Sequence, residues 1–583
     1  MVLKTLGAQV KEFKRDSFMT PVFMILEVIM EMIIPIMMAS IIDKGVDVGD
    51  MNHIYRIGGC MILVAIAGLF FGIMGGKYGA RASTGFARNL RKAMFENIQT
   101  FSFANIDKFS TSGLVTRLTT DVTNMQNAYQ MILRMCMRAP ISLIIAMIMS
   151  FLISAKLASI YLIAVIILGV ILGIIVTNAT KHFTQAFPKY DDLNESVEEN
   201  VSAIRVVKAY VREDFENEKF KKASGNIYEI FRKAENIVSW NGPVMNLAVY
   251  SCILLISWIG AKMVVGSALT TGQLMSLLTY CMTILMNLMM LSMIFVMITM
   301  SVASAKRITE VLNENTQLTN PENPVYEVTD GSIEFKDVSF RYHQNAKESV
   351  LKDINLKINS GETIGILGGT GSAKSSLVNL VSRLYDVSEG ELLVGGRNVK
   401  EYDLETLRNQ VAVVLQNNVL FSGTILENLR WGKNDASEEE CRHACELACA
   451  DEFIQKMPDG YETYIEQGGT NVSGGQKQRL CIARALMKKP KILILDDSTS
   501  AVDTATDAKI RKSFAEAIPG TTKLIIAQRI SSIQNSDRII VMDEGHVVGF
   551  GTHEELLESN EIYREVYESQ TSGSGDFDEK GEL

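Results

Sequence analysis

The chain has 583 residues, 47% of them hydrophobic, and a formal net charge of −9. That length is too great for one core, so two or more domains are expected, and the acidic balance excludes a dedicated nucleic-acid binder, whose footprint is basic. The eight cysteines, at 60, 136, 252, 281, 441, 445, 449 and 481, lack paired secretory spacing and read as reduced, buried thiols. The first apolar run follows KEFKRD and continues far beyond a signal h-region, so no cleavable signal peptide is expected.

Apolar weight concentrates in the first half. Six stretches, near 19–42, 55–78, 129–154, 157–180, 243–266 and 272–301, are long enough to cross a ~30 Å hydrocarbon core, which takes about 20 helical residues. Lys4, Lys11, Lys14 and Arg15 precede the first span. Arg81, Arg88, Arg91, Lys92 and Lys108 lie between the second and third, and Lys181, Lys189, Arg205, Lys208 and Arg212 between the fourth and fifth. By the positive-inside rule these long connections and both termini face the cytosol. Each connection is helix-patterned and holds a polar bend, near 104–122 and 210–220. Such tips either carry force from a soluble domain into the bundle or are solvated hairpins.

Charges inside spans are costly, and so are functional candidates by default. Glu27 and Glu31 lie one turn apart on span one, Arg134 and Arg138 on span three. Glu27 and Arg138 fall at similar depth and are expected to form a structural ion pair. Glu31 shows no evident partner in sequence, and the sharper alternative is that it attracts a cationic substrate. Span six carries Met275, Met282, Met286, Met289, Met290, Met293, Met297 and Met300. Methionine adapts to irregular apolar shapes. Most of these residues read as facing lipid or neighbouring helices; Met286 and Met290, with Asn287 and Glu31, are the candidates for a substrate cavity.

Residues 313–330 are polar and proline-containing, as a linker should be. SIEFKDVSFRY alternates like a strand and ends in Tyr342, whose flat ring either stacks on an adenine base or is an ordinary strand tyrosine. GETIGILGGTGSAKSSLVNLVSRL then reads as strand, glycine loop, helix. In such a loop, here Gly368, Gly369, Thr370, Gly371, Ser372, Ala373, Lys374, Ser375 and Ser376, backbone N–H groups cradle phosphates. Lys374 reaches β/γ oxygens and Ser375 binds Mg²⁺. The glycine usual before the lysine is Ala373, whose methyl is expected to crowd the loop. Downstream, a Ser-Gly-Gly-Gln turn, a basic helix pattern and the apolar run ILIL end in Asp496 and Asp497. A strand ending in a carboxylate is where an α/β nucleotide-binding domain holds Mg²⁺.

Taken in order, GGTGSAKSS, Gln416 in VVLQNNVLF, SGGQ, ILILDD and SAVD resemble the Walker A, Gln-loop, signature, Walker B and D-loop of a half-size ABC exporter. The resemblance covers essentially the whole chain. It implies an α-helical membrane domain of six transmembrane helices (1–312), a linker (313–330) and an α/β P-loop nucleotide-binding domain (331–570), with 571–583 as a disordered tail. It implies ATP and Mg²⁺ as cofactors: Tyr342 on adenine, the 368–376 loop on phosphates, and Ser375, Gln416 and Asp496 at the metal. Ser473, Gly474, Gly475 and Gln476 would close over ATP bound to the opposite cassette, Asp503 would lie between the two sites, and the bends near 104–112 and 210–217 resemble coupling helices.

Two departures from the family pattern bear on mechanism. The usual catalytic glutamate is Asp497. A carboxylate one methylene shorter is withdrawn by about 1.5 Å, and positioning errors near 1 Å cost about 100-fold. The usual switch histidine is Gln528, which hydrogen-bonds but cannot share a proton as imidazole does. With Ala373, these changes resemble the degenerate-site subunit of a heterodimeric multidrug-type exporter, of the kind found in a prokaryotic plasma membrane, moving hydrophobic or amphipathic compounds or lipids. The alternatives are a homodimeric flippase or exporter in which Asp497 works slowly, and an ATP-gated regulator that does not pump. Cys441, Cys445 and Cys449 at i, i+4, i+8 read as a small apolar face of one helix rather than a metal site.

Overall fold

The computed structural model describes residues 2–342, 346, 348–497 and 502–571; the expected tail beyond residue 571 lies outside them. Long helices build the first half: α1 (Lys14–Ile41), α2 (Met51–Gln99), the short α3 (Phe103–Phe109), α4 (Val122–Ile153), α5 (Ala155–Ser202), α6 (Glu213–Val238), α7 (Asn241–Val265) and α8 (Thr271–Asn313). Among the described residues, six helical stretches are long and apolar enough to cross a membrane. α2 and α5 continue for several turns past the apolar windows, as the helical pattern of the basic connections predicts. α4 ends where Ser154 turns extended (φ −155°, ψ 105°).

α1 carries Pro21 and Pro35 in its interior. A proline there removes a ladder donor and disturbs the turn before it, and α8 supplies hydroxyl donors to this stretch. Ser276 Oγ donates to the Pro35 carbonyl and Tyr280 Oη to the Met32 carbonyl, both at 2.6 Å. Asp43 accepts from Thr270 Oγ1 (2.5 Å) and from the Gly272 amide (2.7 Å), so a carboxylate sits at the positive end of the α8 dipole. The expected Glu27–Arg138 pair is present, Nη1 to Oε1 at 2.8 Å. Glu31, however, does have a partner: Arg138 Nη2 lies 2.8 Å from its Oε2. One guanidinium bridges two carboxylates a turn apart, because its fork spans the helical repeat. That corrects the reading of Glu31 as unpaired.

The chain divides into Met1–Thr100 with Phe109–Glu314, and Phe101–Lys108 with Asn315–Leu583. A cut at 312/313 does not anticipate that residues 101–108 group with the second unit. Asn105 is one reason: its Oδ1 accepts from the Ser102 amide (3.0 Å) and its Nδ2 donates to the Asn315 carbonyl (3.3 Å). In the second unit, β1 (Ile333–Phe340) pairs antiparallel with β2 (Leu351–Ile358) and β4 (Glu389–Val394). A six-stranded sheet combines β3 (Thr363–Leu367), β5 (Val411–Val414), β6 (Ile492–Asp496), β7 (Thr522–Ile526), β8 (Arg538–Asp543) and β9 (His546–Gly551) in the order β9-β8-β3-β7-β6-β5. Only β9 runs antiparallel. All five residues of β6 are buried, as a central strand covered on both faces requires, and that is why ILIL is continuous rather than alternating. α9 (Lys374–Val381), α10 (Glu438–Leu447), α11 (Gly474–Leu486) and α12 (Thr504–Ala517) complete the elements used below.

The cysteine trio is corrected in part. Cys441 and Cys445 are buried in the core around Phe453 and Tyr461, and burial pushes the Cys445 thiol up to about 12. α10 stops at Leu447, though, and Cys449 sits beyond it in the left-handed region (φ 51°), so the three do not share one helix.

Asp121, at the amino end of α4, is fully buried. It accepts from Ser304 Oγ (2.8 Å) and from Arg307 Nε and Nη2 (2.8 and 2.5 Å) on α8. Asp121→Ala strands a guanidinium and a hydroxyl at that junction. It is expected to cost about 2–3 kcal/mol, read as a lowered unfolding temperature in detergent, with Arg307→Lys costing less because one charged donor remains.

Candidate nucleotide-hydrolysis site

Parallel pairing brings the candidate residues together. Ile526 is in register with both Ile366 and Asp496, and Leu495 with Val414. The carboxyl ends of β3, β5, β6 and β7 therefore stop at one edge, and the residues just past them are Gly368, Gln416, Asp497 and Gln528. Ligands bind at such an edge in open α/β sheets. A cavity of about 340 Å³ lies there, lined by Gly368–Gly371, Ala373–Ser376, Gln416, Asp496, Asp497 and Gln528, with Val350 and Val566 among its apolar residues. The valines escaped the sequence reading because they belong to no motif; only the fold brings them to the loop.

The glycine loop is shaped by close approach. A Cβ on Gly368 would stand 2.3 Å from the Met542 carbonyl oxygen, so only glycine fits. Lys374 opens α9 and donates from Nζ to the carbonyls of Gly368 (2.7 Å) and Gly369 (2.8 Å) and to Ser372 Oγ (3.3 Å). Ala373 takes a left-handed conformation (φ 71°, ψ 24°), which in an L-residue costs roughly 1–2 kcal/mol. Its side chain packs against the core formed by β1–β4 and α9. Replacing glycine therefore adds backbone strain, while Ala373 also stays on the wall of the cavity.

Asp496 is nearly buried and hydrogen-bonds Ser375. Burial raises its carboxyl above the ordinary range, while Ser375 and Lys374 oppose the rise. Asp497 is raised by burial and then by the Asp496 charge; Lys374, a hydrogen bond with Gln416, and Arg529 pull it back. Gln528 Nε2 donates to Asp497 Oδ2 at 3.1 Å. Asp497 itself has φ 47°, a backbone conformation that for a non-glycine residue is held in place by its surroundings. Two carboxylates crowded at one buried edge, beside a hydroxyl and an amide oxygen, form a hard oxygen donor set that a divalent cation fits. Lys374 and the exposed loop amides add the donors that a polyphosphate requires.

The other candidates fall elsewhere. Tyr342 lines a second cavity, and its Oη lies 2.7 Å from Ser376 Oγ. Ser473 caps α11 in a reciprocal box: Gln476 N donates to its Oγ (3.3 Å), and its own amide donates to Gln476 Oε1 (2.9 Å). Among the described residues, none of Ser473, Gly474, Gly475 or Gln476 lines the Lys374 cavity, and Ser473 and Gly474 are exposed. Asp503 caps α12, accepting from the Thr506 amide at 2.9 Å. Ser500 and Ala501, before it in SAVD, lie outside the described residues. In the bundle, Asn287 Nδ2 donates to Ser142 Oγ of α4 (3.0 Å), whereas Met286 is 68% exposed. Met290 lies one turn beyond both, close to Met286 and to Asn287 on the helix surface.

Residues 17–289 match the family of ABC transporter transmembrane regions, and residues 351–500 the ABC transporter family. The uncharacterized ABC transporter ATP-binding protein YfiB of Bacillus subtilis is 37% identical over 554 residues, covering 95% of this chain and 96% of its own. The ATP-dependent lipid A-core flippase of Desulfotalea psychrophila is 30% identical over 491 residues, covering 84% and 85%. The structure of a bacterial Atm1-family ABC exporter with ATP bound shares the fold with a TM-score of 0.83 at 24% identity, covering 96% of this chain and 99% of that one. The chain belongs to the ABC transporters, as a half-size exporter with one membrane-spanning domain and one ATP-binding domain in a single polypeptide.

Two outcomes follow from the site's geometry. Ala373→Gly removes the left-handed strain and should stabilise the protein by about 1 kcal/mol, measurable as a raised unfolding temperature. Asp497→Asn deletes a charge whose ionised form burial and Asp496 both disfavour. It should therefore raise the unfolding temperature in the absence of nucleotide at neutral pH and lose that advantage on acidification, as Asp497 itself takes up a proton.

Proposed function

We propose that this chain is one half of a heterodimeric ATP-driven exporter of hydrophobic or amphipathic compounds, with a degenerate nucleotide site of its own and an intact signature that serves its partner's. The observation behind this reading is the pair at the sheet edge. Asp497 stands where the family has its water-polarising glutamate, and the group bonded to it is the Gln528 amide, 3.1 Å away, in place of an imidazole. An amide can hold the carboxylate in position but gives no proton-sharing partner.

In this reading the loop from Gly368 to Ser376 holds the phosphates of ATP, Tyr342 carries the adenine, and Ser375, Gln416 and Asp496 hold Mg²⁺. When bound, the metal neutralises charge on the phosphates. Asp497, shortened and tied to Gln416 and Gln528, retains nucleotide and cleaves it slowly. Ser473–Gln476 close on the partner's ATP, consistent with their standing outside the cavity that holds Lys374. Asp503 fixes the start of α12 between the two sites. Two exposed apolar surfaces support association with a second half: Tyr210, Val211 and Phe215 at the tip where α6 begins, and the stacked pair Phe421–Trp431 on the cassette. The ATP-binding domain is cytosolic and the membrane is a prokaryotic plasma membrane. Glu31, Met286, Met290 and Asn287 remain the residues assigned to the substrate path, with Glu31 now acting through its bridge to Arg138.

A second reading, a homodimer that flips lipid with slow Asp497-based hydrolysis, draws on the lipid A-core flippase relative. Purification of the chain alone and together with any exporter half encoded by a neighbouring gene separates the two. The heterodimer reading expects little ATP turnover from the chain alone, fast turnover from the pair, and only a modest loss on Asp497→Ala in the pair. Full-rate hydrolysis by the chain alone, abolished by Asp497→Ala, favours the homodimer. Substrate uptake into sealed inverted vesicles distinguishes either pump from an ATP-gated regulator.

A further inference from the structure

Residues 101–108 lie in sequence between two membrane spans yet group with the cassette, and the contact that meets them there is aromatic. Tyr385 Oη donates to Asp107 Oδ2 at 3.0 Å, and the Phe103 ring stands 6.0 Å from the Tyr385 ring. On its other side Tyr385 meets Tyr342 edge to face, with centroids 5.1 Å apart and planes at 87°. Phe340 closes the group, 4.9 Å from Tyr342 and 5.6 Å from Tyr385. A cavity of about 390 Å³ runs beside them, lined among others by Ser102, Ala104, Leu318, Tyr342 and Tyr385. Tyr342 thus has its ring on the wall of this cavity and its hydroxyl on Ser376, a wall residue of the nucleotide cavity.

We propose that Tyr385 is a positioning residue that sets the orientation of the Tyr342 ring according to where the 101–108 segment stands, so that this segment tunes the affinity of the chain's own site for the adenine base. The proposal rests on the reading that Tyr342 carries adenine. Edge-to-face rings are directional: with Phe340 on one side, a shift of Tyr385 leaves Tyr342 few orientations. The Tyr385 hydroxyl is the tether. Burial and the nearby Asp107 carboxylate both push it above the ordinary tyrosine range, so it remains a donor. Asp107 is exposed, which makes the tether breakable without a large penalty in folding.

The test measures equilibrium binding to the full-length protein in lipid nanodiscs, with fluorescent ATP and, as a probe without a base, inorganic tripolyphosphate. Tyr385→Phe keeps the ring and removes the tether; Asp107→Ala removes its acceptor. Each single variant is expected to weaken ATP binding about three- to tenfold, the size of one charge-assisted hydrogen bond only partly transmitted. The double variant should be no weaker than the singles, and tripolyphosphate binding should stay unchanged. Unchanged ATP affinity in both singles, multiplying losses in the double variant, or an equal loss for tripolyphosphate overturns the proposal. Tyr342→Ala keeps the two readings apart: it should weaken ATP more than tripolyphosphate, whose loop loses only the partner of Ser376, and if ATP binding is unaffected, the adenine assignment fails first.

Discussion

The parallel pairing of β6 with β5 on one side and β7 on the other is the constraint on which the rest of the cassette depends. Because Ile526 registers with both Asp496 and Ile366, residues from four distant stretches of sequence must surface at one edge. A slip of one residue would reverse every side chain of the strand and turn the Asp496 carboxylate away from Ser375. Five buried positions in β6 make such a slip expensive, so the chemistry at the edge inherits its precision from an apolar run that takes no part in it.

What that edge assembles is a carboxylate held by amides. Asp497 is bonded by two amide side chains, from Gln416 and Gln528, and neither can exchange a proton at neutral pH. Both instead fix the carboxylate. Lys374 and the glycine loop line one cavity together with Ala373, whose left-handed backbone stores strain. On the proposed reading, this set of residues binds nucleotide while Asp497 and Gln528 weaken the activation of water. Ser473–Gln476, by contrast, form a capped helix start whose first residues, Ser473 and Gly474, are open to solvent.

Much of this was legible in the residues. The six spans, the strand–loop–helix of GGTGSAKSS and the buried strand before Asp496 follow from periodicity and glycine placement, because those patterns answer to local geometry and to burial. The Glu27–Arg138 pair followed from depth alone. The second carboxylate on Arg138 did not, since whether a guanidinium serves one acceptor or two depends on the rotation of two helices about their axes. Nor did the turn that removes Cys449 from α10, the φ of Ala373, or the valines of the cavity, which are set by tertiary contacts rather than by neighbours in sequence. The grouping of residues 101–108 with the cassette was only one of two alternatives that the polar bend left open, favoured by its resemblance to a coupling helix; which residues it meets there was out of reach, because polar bends look alike whether they face water or a tyrosine.

The account stands or falls on what becomes of ATP at this chain's own loop. A rapid-quench single turnover with radiolabelled azido-ATP, photocrosslinked to each half of the assembled pair and resolved by chain, measures it directly. The account predicts that label on this chain remains ATP after the partner's label has become ADP, and that Asp497→Glu combined with Gln528→His makes both convert. Label on the unaltered chain converting to ADP as fast as the partner's would contradict it.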